Sequence, residues 1–264
     1  MTDPAATRTI AQTFVNARRA RAPLKRYPGP APLTLGDAYV IQTEALALSS
    51  EAPAGWKIGR ILGDDVLRFG DDRLSGPVFA GDIRTAVAGA NIFSIIEGGF
   101  CAVEGEIIIR VGQDAPPGTL DWSVENASAL IGACHVGVEI AGSPFAEINE
   151  HGPAVTASDF GNNDGLIIGP EIAVSAPWES PVLAVETRID DVTVGRGNAL
   201  QLPGGPVAAL AWLASHLARR GLPLRRGQWV TTGAITGVHR IHPGQVAQVI
   251  FEGVGQILCL AKSS

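Results

Sequence analysis

One stretch, FCAVEGEIIIRVG at residues 100–112, constrains the fold of this chain most. It is apolar and β-branched enough to read as a strand, closed by Gly112. Yet Glu104 and Glu106 stand two positions apart in it. Residues i and i+2 of a strand project to one face. Two carboxylates therefore sit side by side on an otherwise apolar element. Either the strand is an edge with that face in water, or the acids are buried and compensated, because a bare buried carboxylate is very costly. Compensation can come from Arg or Lys pairing, or from a cation. HVGVEIA at residues 135–141 repeats the theme with one acid, Glu139. A divalent cation would satisfy oxygens from all three acids together and cancel the repulsion between Glu104 and Glu106. An all-oxygen donor set selects a hard ion, Mg²⁺ or Mn²⁺.

Around that strand the pattern is mostly β. PVFAGDI, AVEGEIIIRV, HVGVEIA, GLIIGPEI and LAVETRIDDVTV follow one another, most of them separated by Gly or Pro turns. QWVTTGAITG and QVAQVIFEGVG close the chain as further strands. Helices are predicted over residues 8–22, 34–50 and 206–221; in the last, Val207, Leu210, Ala214 and Leu217 keep helical spacing and Gly221 stops it. GWKIGRIL reads as a strand or extended segment. The expected organisation is a helical N-terminal region, 1–75, followed by a mixed-β body, 76–264.

The 264 residues, 46% of them hydrophobic, are enough for one large or two modest domains. A net charge of −6 argues against a nucleic-acid partner. Three distant cysteines, Cys101, Cys134 and Cys259, form no CxxC, which argues against a zinc site and for a reducing, cytoplasmic setting. The N-terminus shows no secretory pattern, and no apolar run reaches the roughly 18 residues of a membrane span.

The order of motifs carries a resemblance. GWKIG is followed by the E-x-E strand, by a strand ending VEIA, by TASDFGNNDGLIIG, by the Pro-initiated helix PVAALAWLA and by GQWVTTGAITG. This order resembles the fumarylacetoacetate hydrolase superfamily, and within it the branch of 2-oxopent-4-enoate hydratases and 4-oxalocrotonate decarboxylases. The resemblance implies an α+β fold, a mainly β fumarylacetoacetase-like roll with a small helical N-terminal region. It implies Mg²⁺ or Mn²⁺ held by Glu104, Glu106 and Glu139, and a catalytic Lys57 that positions substrate or relays a proton. It places Asn162, Asn163 and Thr236 against a small 2-oxo acid. The implied activity is hydration of a 2-hydroxydienoate in aromatic meta-cleavage catabolism, through an enolate stabilised by the metal. Alternatives are a 2-oxo acid decarboxylase, an acylpyruvate C–C hydrolase, or a non-catalytic small-molecule binder. A homo-oligomer is also implied.

Two departures stand out. The similar hydratases carry small hydroxyl residues where Asn162 and Asn163 stand, and an Asp-Phe-Gly segment where this chain has Leu74, Ser75 and Gly76; Asp71, Asp72 and Asp82 are the acids nearby. No histidine precedes residue 135, which argues against the histidine-based hydrolysis of the hydrolase branch. His135 shares a strand face with Glu139 if the strand is regular, as a core residue or as support for the acid. His151, His239 and His242 read as loop or turn residues. No phosphate-cradling, nucleophile-elbow or dinucleotide motif is present.

Overall fold

The structure is a computed structural model and describes residues 3–173 and 183–264. The chain opens with helices α1 (Pro4–Arg19) and α2 (Leu35–Leu48). Asp3 and Thr34 cap them by accepting from the backbone N–H groups of Ala6 and Asp37, and Pro4 starts α1 with its φ already helical. Next come β1 (Gly55–Arg60), α3 (Asp64–Phe69), β2 (Arg73–Val78), β3 (Ile83–Thr85), β4 (Ala90–Ile95) and β5 (Phe100–Val111). Then follow α4 (Val124–Ser128), β6 (Ile131–Ser143), α5 (Pro153–Ser158) and β7 (Asn163–Ile172). The described remainder is β8 (Ala184–Ile189), β9 (Val192–Asn198), α6 (Gly205–Arg219), β10 (Trp229–Thr231), β11 (His239–Arg240), β12 (Val246–Phe251) and β13 (Gly255–Ser263).

The strands form two sheets. The larger runs β2-β1-β10-β5-β6-β7-β3, with β11 pairing the other end of β5; the smaller runs β4-β13-β12-β8-β9. The fold is the expected α+β class. Strands β4 and β13, a parallel pair, carry no strand prediction in the sequence reading, whereas β1 falls on GWKIGRIL, read there as a strand or extended segment.

Strand β5 is central, with β10 and β11 on one side and β6 on the other. Its odd-numbered face supplies Cys101, Val103 and Ile107 to a core shared with Val185, Val249 and Ile257 of the smaller sheet. Gly105 is required there: a Cβ would stand 2.7 Å from Val249 Cγ1. Farther along, Ile109 packs with Trp56, Ile58 and Val230 under Leu210, Leu213 and Leu217 of α6. On the even-numbered face, Phe100 and Ala102 meet Ile10, Phe14 and Ile41 of α1 and α2. Both faces of the strand are thus covered, and Arg110 is its one exposed residue. The edge-strand alternative is excluded, and the two glutamates lie inside.

Candidate metal centre

Register brings the acids together. In the antiparallel β5–β6 pair Glu104 lies directly opposite Glu139, with Glu106 two residues along the same face. Directly opposed like charges destabilise a sheet unless something offsets them. All three carboxylates are buried, at 3%, 0% and 0% exposure, and each offers an oxygen within 4.8 Å of the others. Lys57 arrives from β1, also buried, with Nζ 3.2 Å from Glu139 Oε1.

The donors around Glu139 hold it in one orientation. Asn163 Nδ2 donates to Oε1 at 3.1 Å and Thr231 Oγ1 to Oε2 at 2.9 Å. The Gly233 N–H donates to Glu106 Oε2 at 2.7 Å, whereas Glu106 Oε1 is buried with no hydrogen-bond partner. Buried acceptors are rarely left in that state. The Glu104 carboxylate makes no hydrogen bond among the described residues and lines the cavity above.

The charge balance is also incomplete. With all three carboxylates deprotonated, one ammonium leaves two net negative charges in the interior. Burial, only partly offset by Lys57 and reinforced by Glu139, pushes the Glu104 carboxyl up to about 7. Burial, Glu139 and Glu104 push Glu106 well above the usual carboxylate range. Burial would lower the Lys57 pKa, but Glu139, Glu104 and Glu106 outweigh it and hold the lysine as an ammonium. A divalent cation fits this set: the donors are hard oxygens, one carboxylate oxygen is orphaned, and two positive charges neutralise the cluster.

A cavity of about 480 Å³ opens over Lys57 and Glu104. Asn149, Thr156 and Asn162 line one wall, and Ile61, Leu62, Leu74 and Val238 supply apolar surface. Asn162 Nδ2 donates to Asn149 Oδ1 at 2.9 Å, while Asn162 Oδ1 is buried without a partner.

Of the residues singled out in the sequence, Lys57, Glu104, Glu106 and Glu139 converge, Asn162 faces the cavity, and Asn163 bonds Glu139. Thr236 stands apart: its hydroxyl shares a 2.7 Å hydrogen bond with Thr187, and its neighbours Ala234 and Gly237 line the cavity instead. The acids considered in place of the absent Asp are engaged elsewhere. Asp71 accepts from Trp212 Nε1 at 2.9 Å, Asp72 pairs with Arg73 at 2.7 Å, and Asp82 lines a separate cavity beside Arg18 and Arg21. The aspartate that does line the central cavity, beside Glu104, is Asp65 of α3. His135 is held at the Gly169 carbonyl (3.0 Å) and against Trp229, His239 at the Thr236 carbonyl (2.8 Å), and His151 beside Glu147. Sequence reasoning missed Thr231 and Gly233, which lie 92 and 127 positions from the acids they hold.

The larger sheet carries a buried three-carboxylate, one-lysine centre on the face opposite the smaller sheet, and a small-molecule cavity opens over it. A family model, fumarylacetoacetate (FAA) hydrolase C-terminal, matches residues 72–259, and the chain belongs to that family. A 2-keto-4-pentenoate hydratase of Dechloromonas aromatica is 30% identical over 105 residues, 40% of each chain. The chain therefore aligns with about two fifths of the length of such hydratases. The 4-oxalocrotonate decarboxylase of Pseudomonas putida is 25% identical over 243 residues, covering 85% of this chain and 84% of that one. The solved structure of the 4-oxalocrotonate decarboxylase from Pseudomonas putida G7, in complex with magnesium and adipate, shares the fold with a TM-score of 0.81 over 99% of both chains at 19% identity.

Proposed function

We propose that this chain is a divalent-metal-dependent lyase of a small 2-oxo acid. The preferred reading is hydration of a 2-hydroxydienoate, or its 2-oxo-4-enoate tautomer, formed in aromatic meta-cleavage catabolism. The observation that carries the reading is the convergence of Glu104, Glu106 and Glu139 with Lys57 beneath a cavity. Glu104, Glu106 and Glu139 would hold Mg²⁺ or Mn²⁺. When bound, such an ion supplies a Lewis acid for the negative charge that develops on the C2 oxygen of a 2-oxo acid.

The chain's own groups divide the remaining work. The Lys57 ammonium is a donor and counter-charge for a substrate carboxylate or a developing oxyanion; burial would lower its pKa, but the three neighbouring acids raise it. Asn162 offers an unpartnered amide oxygen to a substrate hydroxyl or to the water that adds. Leu62, Leu74 and Val238 give the hydrocarbon part of the substrate an apolar wall. Among the described residues no histidine lines the cavity, which favours the lyase readings over a histidine-based C–C hydrolysis.

Decarboxylation of a 4-oxalocrotonate-type acid is the second reading, favoured by one observation: the decarboxylase aligns over most of its length, the hydratases over two fifths. Turnover of 2-hydroxydienoate, oxalocrotonate and acylpyruvate substrates with Mg²⁺ separates the two. Water addition without CO₂ release supports hydration, CO₂ release supports decarboxylation, and no turnover with ligand affinity unchanged by a chelator supports a non-catalytic binder. A homo-oligomer acting in the cytoplasm goes with this reading and is checked by light scattering and fractionation.

A further inference from the structure

The centre is held from one side by a turn of unusual backbone. Phe160, Gly161 and Asn162 take φ values of 53°, 63° and 56° in succession. Two of them are not glycine, and such left-handed conformations persist only where the surroundings impose them. The turn presses on the centre at several points. The Phe160 carbonyl oxygen occupies the space of a Gly76 Cβ, which would stand 1.8 Å from it, and a Cβ on Gly161 would come within 3.0 Å of Lys57 Cδ. Asn162 lines the cavity, and Asn163 donates to Glu139.

What imposes this conformation comes from α1. Arg18 Nε and Nη2 donate to the two carboxylate oxygens of Asp159 at 2.6 and 2.9 Å. Nη2 also reaches the carbonyls of Asp159 (3.2 Å) and Gly142 (2.9 Å), and Nη1 the carbonyl of Asn163 (2.8 Å). Ser143 Oγ holds Asp159 Oδ2 from below at 2.7 Å. One planar guanidinium thus ties the residue before the turn to the residue after it, and both to β6. Only a fork-shaped donor can do this. An ion pair serving stability alone would stop at Asp159; the bonds to both flanking carbonyls fix the span of the turn.

We infer that Arg18 is a positioning residue for the metal centre: by fixing both ends of the 160–162 turn, it sets Asn163 against Glu139 and Asn162 against the cavity. This rests on the reading of the three glutamates as metal ligands.

The test titrates Mn²⁺ alone into the wild-type chain and into Arg18→Gln, Arg21→Gln and Glu106→Gln, followed by calorimetry. Arg21 is the matched control: it pairs with Asp164 at 3.0 Å and donates to the Ser94 carbonyl, without touching the turn. Support around a metal ligand is commonly worth 10–100-fold in affinity, so Arg18→Gln is expected to weaken Mn²⁺ binding by about tenfold and Arg21→Gln by less than about twofold. Wild-type affinity in Arg18→Gln, or an equal loss in Arg21→Gln, overturns the inference. If Arg18→Gln does not fold, Asp159→Asn, which keeps the shape and removes the pair, is read by the same outcomes. Glu106→Gln separates the two levels. Full Mn²⁺ affinity in that variant removes the reading of the centre itself. Loss of Mn²⁺ there, with Arg18→Gln unaffected, removes only the positioning role.

Discussion

Glu139 accepts from Lys57, Asn163 and Thr231, and each donor has its own task. Thr231→Val keeps the shape and deletes one donor. Its expected effect is a Mn²⁺ affinity lowered by about tenfold, read by calorimetry. Lys57→Met should separate binding from chemistry. Turnover falls by about 10²–10⁴ if the ammonium donates in the reaction, while Mn²⁺ still binds, because the three carboxylates remain and their cationic neighbour is gone. Loss of Mn²⁺ binding in Lys57→Met would count against that division. Titration gives a signed expectation. Without metal, folded Glu104 keeps its proton up to about pH 7, whereas in the unfolded chain it loses it near 4.5. The folded state binds more protons across that window, so the metal-free protein loses stability as pH rises through it and stays weakened above. Metal needs the deprotonated acids, so the Mn²⁺-induced rise in Tm should be larger at pH 8 than at pH 5. Equal rises would contradict the assignment.

At the scale of elements, β5 shows how one strand serves two surfaces. Its odd face packs against the smaller sheet and its even face carries the acids, with Gly105 between them. Gly105→Ala drives a methyl to 2.7 Å from Val249 Cγ1. A loss of about 1–3 kcal/mol in urea unfolding is expected from such overpacking. This strand was legible in the sequence because its signal is local: period-two spacing put Glu104 and Glu106 on one face, while an edge strand and a buried one both stayed open. Helices α1, α2 and α6 were legible for the same reason, from apolar periodicity and, for α6, Gly221, although α1 starts at Pro4 rather than at residue 8. What was not legible is non-local. Thr231, Gly233 and the Arg18–Asp159 pair meet their partners only at sequence separations of 92 to 141. Strands β4 and β13 are joined to each other across the length of the chain. Helices α3 and α5, of six residues each, are too short to show a period. The loop read as lining the substrate site is in fact partly helical, and it sends Thr156 and Asn162 into the central cavity.

For the whole molecule, the fold keeps three acids in an interior that their uncompensated charge would otherwise weaken, and a cation would join catalysis to stability through them. A ligand at 100 times its Kd adds about 2.7 kcal/mol, and each kcal/mol moves Tm by about 2–4 °C in a domain of this size. Saturating Mn²⁺ should therefore raise Tm by roughly 5–10 °C, and an excess of chelator should reverse it. The most direct measurement is an anomalous difference map from crystals of the protein grown with saturating Mn²⁺. The account expects a strong peak within about 2.3 Å of an oxygen from each of Glu104, Glu106 and Glu139. A map with no peak between those three carboxylates would contradict it.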